Sequence, residues 1–195
     1  MIKKIFTKVL LLTLVTFSHA NALKQEEIQQ EMTKKIDNVL QILEKKDKTF
    51  AQKGDEIIKI IDDVFDYELM AKIALGKETW SSITPEKQKQ FTQVFENKLK
   101  KSYIEKLELY NDQKVKIIGL KPYNNTRLQL ETELLGKDGI YKINYNFYNK
   151  SKDNEEWLIY DVDLVGVSII QTYRQQFSGL LKEKTFDEML ALLEK

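Results

Sequence analysis

Leu128-Gln129-Leu130-Glu131-Thr132-Glu133-Leu134 and Tyr141-Lys142-Ile143-Asn144-Tyr145-Asn146-Phe147 decide the fold. In both runs every second residue is apolar, Thr132 excepted, and those between are polar. Successive side chains of a strand point to opposite faces, so each run carries one apolar and one polar face. Val115 and Ile117 before them, and Trp157 and Ile159 after them, repeat the alternation. Turn-forming clusters at Pro122 to Asn125, Gly136 to Gly139 and Asn149 to Asn154 separate the four runs. The pattern predicts a four-stranded antiparallel meander with one apolar face.

Upstream the period is helical. Ile28, Met32, Ile36, Val39, Leu40 and Leu43 describe an amphipathic first helix. A Lys-rich turn running to Gly54 is expected next, and Ile57, Ile58, Ile60, Ile61, Val64 and Phe65 resume the helical pattern. Asp66 can cap a short helix that Gly76 stops. Thr84-Pro85-Glu86 combines a threonine cap, a proline at the first helical position and an acid in the first turn, and opens a long helix expected to reach Tyr110. Downstream, Ser168 to Gln171 and Thr185 to Glu188 read as capping boxes opening two last helices. Helices on one face of an antiparallel sheet make an α+β layer architecture, and 195 residues suit one domain.

Residues 1–22 read as a secretory signal: Lys3, Lys4 and Lys8 precede a short apolar run from Val9 to Phe17, and small residues follow at 18–22. The run is about half the ~20 apolar residues that a membrane-spanning helix needs. Residues 23–195 are expected to form the mature domain. The chain has 31 basic and 30 acidic residues, and losing three lysines with the leader leaves 28 against 30, a net charge of −2. That balance speaks against nucleic acid as a partner.

Two absences narrow the chemistry. There is no Cys, hence no disulfide, thiolate nucleophile or lipoprotein anchor, and the only His, His19, falls at the expected cleavage site. Neither a Ser-His pair nor a His or Cys metal site can be built after cleavage, and no metal or cofactor is expected. Asp161 and Asp163, two apart on a strand, point to one side and could form a carboxylate pair for metal or acid-base work; a solvated or salt-bridged strand end is the plainer reading. Asp62, Asp63 and Asp66 are explained as well by capping and exposed-face roles. Arg127 and Arg174 are the only arginines among the 31 basic residues. A buried Arg174 to Asp161 bridge is the favoured expectation for the second, and a lipid-phosphate contact the alternative.

Four pieces in register carry a resemblance: Phe65-Asp66-Tyr67-Glu68-Leu69-Met70-Ala71 through Leu75-Gly76 and Trp80; Gln90-Phe91 with Phe95 and Tyr103; Trp157-Leu158-Ile159-Tyr160-Asp161-Val162; and Gly166-Val167-Ser168 with Tyr173-Arg174-Gln175-Gln176-Phe177. Together they resemble the MlaC family, also called toluene-tolerance auxiliary proteins. Gln171-Thr172 departs from the Asn that the family often places before the Tyr-Arg pair, and the first helix is only loosely similar.

The resemblance implies a nuclear-transport-factor-2-like sheet with added N-terminal helices around an apolar lipid pocket. It also implies a periplasmic phospholipid carrier, not an enzyme, serving an outer-membrane lipoprotein complex and an inner-membrane ABC transporter with an MCE-domain subunit, and so maintaining outer-membrane lipid asymmetry. Lipid contacts are then expected on the helices from Phe65, Leu69, Ile73, Phe95, Leu99 and Tyr103. On the sheet they are expected from Leu128, Leu130, Ile143, Tyr145, Phe147 and Ile159, and around the return to helix from Val162, Leu164, Val167 and Ile170. Arg174 and Asp161 are the structural or head-group candidates. On pattern alone these apolar residues equally describe a filled core. Two other readings therefore stand beside the carrier: an adaptor domain with a filled core, and an enzyme on the same fold using Asp161 and Asp163.

Overall fold

The computed structural model describes residues 23–107, 110, 112–151 and 156–194; the expected leader, 1–22, lies outside them. Helix α1 is Ile28–Glu44 and α2 is Phe50–Ile61. A short 3-10 turn at Asp62–Val64 leads to α3, Tyr67–Leu75, which is followed by α4, Lys77–Ser82, and α5, Pro85–Leu107. Then come β1 Lys114–Asn124, β2 Arg127–Gly136, β3 Gly139–Asn149, β4 Trp157–Leu164 and β5 Val167–Ser168. Helices α6, Ile169–Leu180, and α7, Phe186–Leu193, close the chain.

The sheet is antiparallel with its strands in sequence order, so the expected meander stands but with five strands rather than four. The fifth is a two-residue strand folded back on β4 through Val165 and Gly166, both at positive φ (56° and 82°). The Gly166 amide donates to Asp163 Oδ1 at 2.7 Å and fixes that turn. Strand β1 also runs through Pro122, which was expected in a turn. A proline that donates no ladder bond is tolerated there because β1 is an edge strand, with register shifts on either side of Leu120 and Lys121.

Local chemistry sets most helix starts. Asp66 accepts from the Leu69 amide at 2.9 Å to open α3. Thr185 and Glu188 form the full reciprocal box at α7, whereas Ser168 at α6 supplies only its own half, accepting from the Gln171 amide at 3.0 Å. The expected turn ends at Thr49 rather than at Gly54, because a Thr49/Gln52 capping box already opens α2 at Phe50. Gly54 is helical, and a Cβ built on it would stand 2.7 Å from Ile104 Cγ2, so this glycine lets α5 come close to α2.

Three packed clusters hold the fold, the smallest joining Ile42 and Leu43 of α1 to Ile57 of α2. The largest joins α3, α4, α5, α6 and α7 around Phe91, Phe95, Phe177 and Met189. The second lies on the apolar sheet face, where Leu128, Leu130, Phe147, Trp157 and Ile159 meet Leu23, Ile28, Met32 and Val64. A bridge between Phe65 and Ile159, with the Asp66 amide donating to the Ile159 carbonyl at 2.9 Å, pins the start of α3 to the sheet.

Candidate functional site

Between these clusters is a void. Register places Ile143 opposite Thr132 and Leu164, and Tyr145 opposite Leu130 and Val162, so Ile143, Tyr145, Val162 and Leu164 share the inward face of β3 and β4. Over this face stand α1, α2 and the second half of α5, which do not close down onto it. A cavity of about 360 Å³ remains. That is toward the lower end of the roughly 300–1,000 Å³ typical of small-molecule sites. Its walls are Ile36, Val39 and Leu40 of α1, Ile57, Ile58 and Ile61 of α2, and Leu99, Tyr103, Ile104 and Leu107 of α5. Phe65, Met70, Val115 and the strand residues above complete it.

Six polar side chains reach this lining. Lys35 donates to the Ile60 carbonyl at 2.6 Å and to Asp63 at 2.7 Å, tying α1 to the end of α2. Lys100 pairs with Asp62 and Glu96, each at 2.6 Å, and lies 4.8 Å from the centre of the Tyr67 ring. Burial opposes its charge, but those two bonds hold the ammonium above its ordinary value. Tyr67 donates to Asp62 at 3.0 Å. Burial, then the Asp62 charge, pushes its phenol well up. Lys106 lies over the Tyr103 ring at 5.5 Å. The Tyr103 phenol is raised by burial and, after that, by the nearby Tyr173 and Asp161. The Tyr145 phenol is pushed up to about 12 by burial alone.

Of the expected lipid contacts, Phe65, Leu99, Tyr103, Ile143, Tyr145, Val162 and Leu164 meet around the cavity. Phe95 and Ile170 are buried in the helical cluster, with Ile73 packed against it. Leu128, Leu130, Phe147 and Ile159 are sealed in the sheet cluster. Leu69 is half-buried outside the lining, and Val167, on the short β5, is 59% exposed. None of the α1 and α2 wall residues is among the expected lipid contacts. One signal there could have marked them: Ile57, Ile58, Ile60 and Ile61 put more apolar side chains on α2 than one helix neighbour covers.

The charged candidates separate. Arg174 is exposed on α6 and makes no ion pair among the described residues, so the expected bridge to Asp161 is absent. Asp161 is buried and accepts instead from Ser168 Oγ at 2.7 Å and from the Ile170 amide at 3.1 Å. The β4–β5 turn brings the start of α6 over it, filling the place that an arginine would have taken. Burial pushes its carboxyl up, against the hydrogen bonds from Ser168, Ile170 and Val162. Asp163 is spent on the Gly166 amide. Among the described residues, no group of three or more His, Cys, Asp or Glu side chains could hold a metal ion, and no helix is long and apolar enough to cross a membrane.

Residues 33–195 match the sequence family described as MlaC protein. The chain belongs to the MlaC family. It is similar to the intermembrane phospholipid transport system binding protein MlaC of Haemophilus influenzae, 22% identical over 118 residues. That match spans 60% of this chain and 55% of the relative, a little over half its length. In structure this MlaC-family chain is similar to a phospholipid-binding protein of Ralstonia solanacearum, solved in complex with a phospholipid. The TM-score is 0.71 at 20% identity, over 89% of this chain and 96% of that one. The likeness shows a shared fold.

Proposed function

We propose that this chain is a soluble periplasmic phospholipid carrier, made with a cleaved leader at 1–22 and working as one lipid-binding domain over 23–195. The single observation that carries the reading is the apolar cavity of about 360 Å³ between two fully packed clusters. Two C16 chains hold roughly thirty methylenes, and at ~0.8 kcal/mol each they would lie ~24 kcal/mol uphill in bare water. A dry wall of Ile, Leu and Val side chains removes that penalty for each methylene it encloses, so for the enclosed part of the chains the free energy of moving from bilayer to cavity approaches zero. Small affinity differences at the two ends of the route set its direction.

Within this reading the sheet and helices form a nuclear-transport-factor-2-like cup. The partners are an outer-membrane lipoprotein complex and an inner-membrane ABC transporter with an MCE-domain subunit, and the outcome is outer-membrane lipid asymmetry. Family membership supports it, as does the chain's similarity to an intermembrane phospholipid transport binding protein and to a phospholipid-binding protein. No covalent chemistry is required of the chain. The enzyme reading loses its support because Asp161 and Asp163 are engaged in holding a helix start and a turn. Native mass spectrometry of the purified protein tests the proposal: co-purified phospholipid is expected, and protein that emerges empty and takes up no lipid from vesicles would sink it in favour of an adaptor.

A further inference from the structure

Three of the six polar side chains on the cavity wall are answered from within the protein. Lys35 and Lys100 are neutralised by Asp63, Asp62 and Glu96, and the Tyr67 hydroxyl donates to Asp62. Tyr145 is the exception in the sheet. Its hydroxyl forms no hydrogen bond with any described residue, and no charged or hydrogen-bonding group among them perturbs it; burial is the one influence on its ionisation. Yet the hydroxyl is not sealed into packing, because no described side-chain polar atom is both wholly inaccessible and unpartnered. Tyr145 is half-buried and lines the cavity, so the accessible surface of that oxygen is within reach of a ligand seated there. A phenol held up to about 12 stays protonated, a neutral donor with nothing to donate to.

An unanswered donor in an apolar void is unfavourable unless the ligand supplies an acceptor. The acceptor should be neutral, since a carboxylate would enter a wall whose Lys35 and Lys100 already have their counter-charges. The hydrocarbon of a phospholipid offers no acceptor; its acyl ester carbonyls do. We infer that the Tyr145 hydroxyl donates to an ester carbonyl of a bound glycerolipid, so that the cavity selects ester-linked chains over ether-linked chains of equal length. This rests on the carrier reading above and adds a specificity-determining residue to it.

The test offers the purified full chain mixed vesicles containing equal amounts of dipalmitoyl phosphatidylcholine and its dihexadecyl ether analogue, with palmitate in a parallel sample. Native mass spectrometry reads the bound species. The ester form should exceed the ether form about fivefold, the factor that one net hydrogen bond supplies. Tyr145→Phe keeps the ring and its packing, and should bring the ratio close to one while total lipid stays high. Equal loading in the wild type, or a preference that survives Tyr145→Phe, overturns the inference and leaves the carrier intact. Preferential palmitate uptake that Tyr145→Phe abolishes overturns it in favour of a carboxylate ligand. No lipid of either linkage would overturn both the inference and the carrier reading.

Discussion

The helical cluster around α6 and the space under α1 and α2 are both enclosed by amphipathic helices, but one is full and the other is hollow. In the cluster, broad rings interlock: Phe91 meets Phe177 edge-on at 5.5 Å, and Phe95 meets Tyr173 at 5.2 Å and Phe177 at 5.8 Å. The α1 and α2 walls are mostly Ile, Val and Leu. β-Branched side chains are short and stiff at χ1 and cannot reach across a wide gap. Ion pairs help hold that gap, with Lys35 of α1 on Asp63 and Lys100 of α5 on Asp62. Whether an apolar face becomes core or pocket is thus set by how far apart its supports hold it, not by how apolar it is.

The largest effect that separates the two regions should come from truncation. Phe95→Ala removes a ring that packs on three others and should lose about 3–5 kcal/mol. Ile143→Ala enlarges a void that already exists, surrenders fewer contacts and should lose less than ~2 kcal/mol, below the usual range for a buried aliphatic. Urea denaturation of lipid-free protein measures both. Equal losses would erase the distinction.

Enlargement should reverse the phenotypes. Leu130 is fully buried in the sheet cluster, outside the cavity lining, so Leu130→Trp should overpack it and lose ~1–3 kcal/mol with lipid per folded molecule unchanged. Ile143→Trp should stay within about 1 kcal/mol of wild type, because the ring has room, and should bind less lipid. Thermal unfolding read beside native mass spectra would break the comparison if the two variants behaved alike.

Much of this was legible where local chemistry decides. The Asp66 cap, Pro85 at the first position of α5 and the alternation through Ile143 and Tyr145 each act within a few residues, and the structure follows them. The start of α2 was hidden because Lys45, Lys46, Lys48 and Lys53 read as a solvated turn with Gly54 as its stop. In the fold Lys53 is buried, donating to the Leu43 carbonyl at 2.6 Å at the end of α1, and Gly54 makes room for a side chain fifty positions away. The cavity was only half legible for the same reason. Leu130 and Tyr145 are cross-strand partners with like apolar surroundings, but one packs into the core and the other opens on the void. Nothing in their spacing records the height at which α1 and α5 pass overhead.

A smaller effect tests the buried polar contact on the filled side. Asp161 has its carboxyl pKa raised above the ordinary 3.8 by burial, so the native state binds that proton more tightly than the unfolded chain does. Its contribution to stability therefore grows as pH falls through the interval just above 3.8 and is lost as pH rises out of it, the reverse of a salt-bridged carboxylate. Asp161→Asn removes this dependence. Unfolding free energy followed across mildly acidic pH should show wild type gaining on the variant as acid is added, and parallel curves would mean that the carboxyl titrates as if unburied.

The smallest stability change is expected on the hollow side, at Gly54, which packs against Ile104 of the cavity wall. Alanine there improves helix propensity by about 0.8–1 kcal/mol. Its methyl would lie 2.7 Å from Ile104 Cγ2 and 3.1 Å from Ile104 Cδ1, so Ile104 must give way. Pushing a side chain part-way off its rotamer costs about 0.5–1.5 kcal/mol, and Ile104 lines the cavity, so it has space to enter. In lipid-free protein the opposing contributions should cancel to within ~0.5 kcal/mol. A bound acyl chain competes for that same space, so Gly54→Ala should carry less lipid per molecule while melting almost as wild type does. A loss of ~2 kcal/mol or more in the lipid-free variant, in the range of overpacked cores, would mean that Ile104 has nowhere to go and that this wall is as full as the cluster around Phe95.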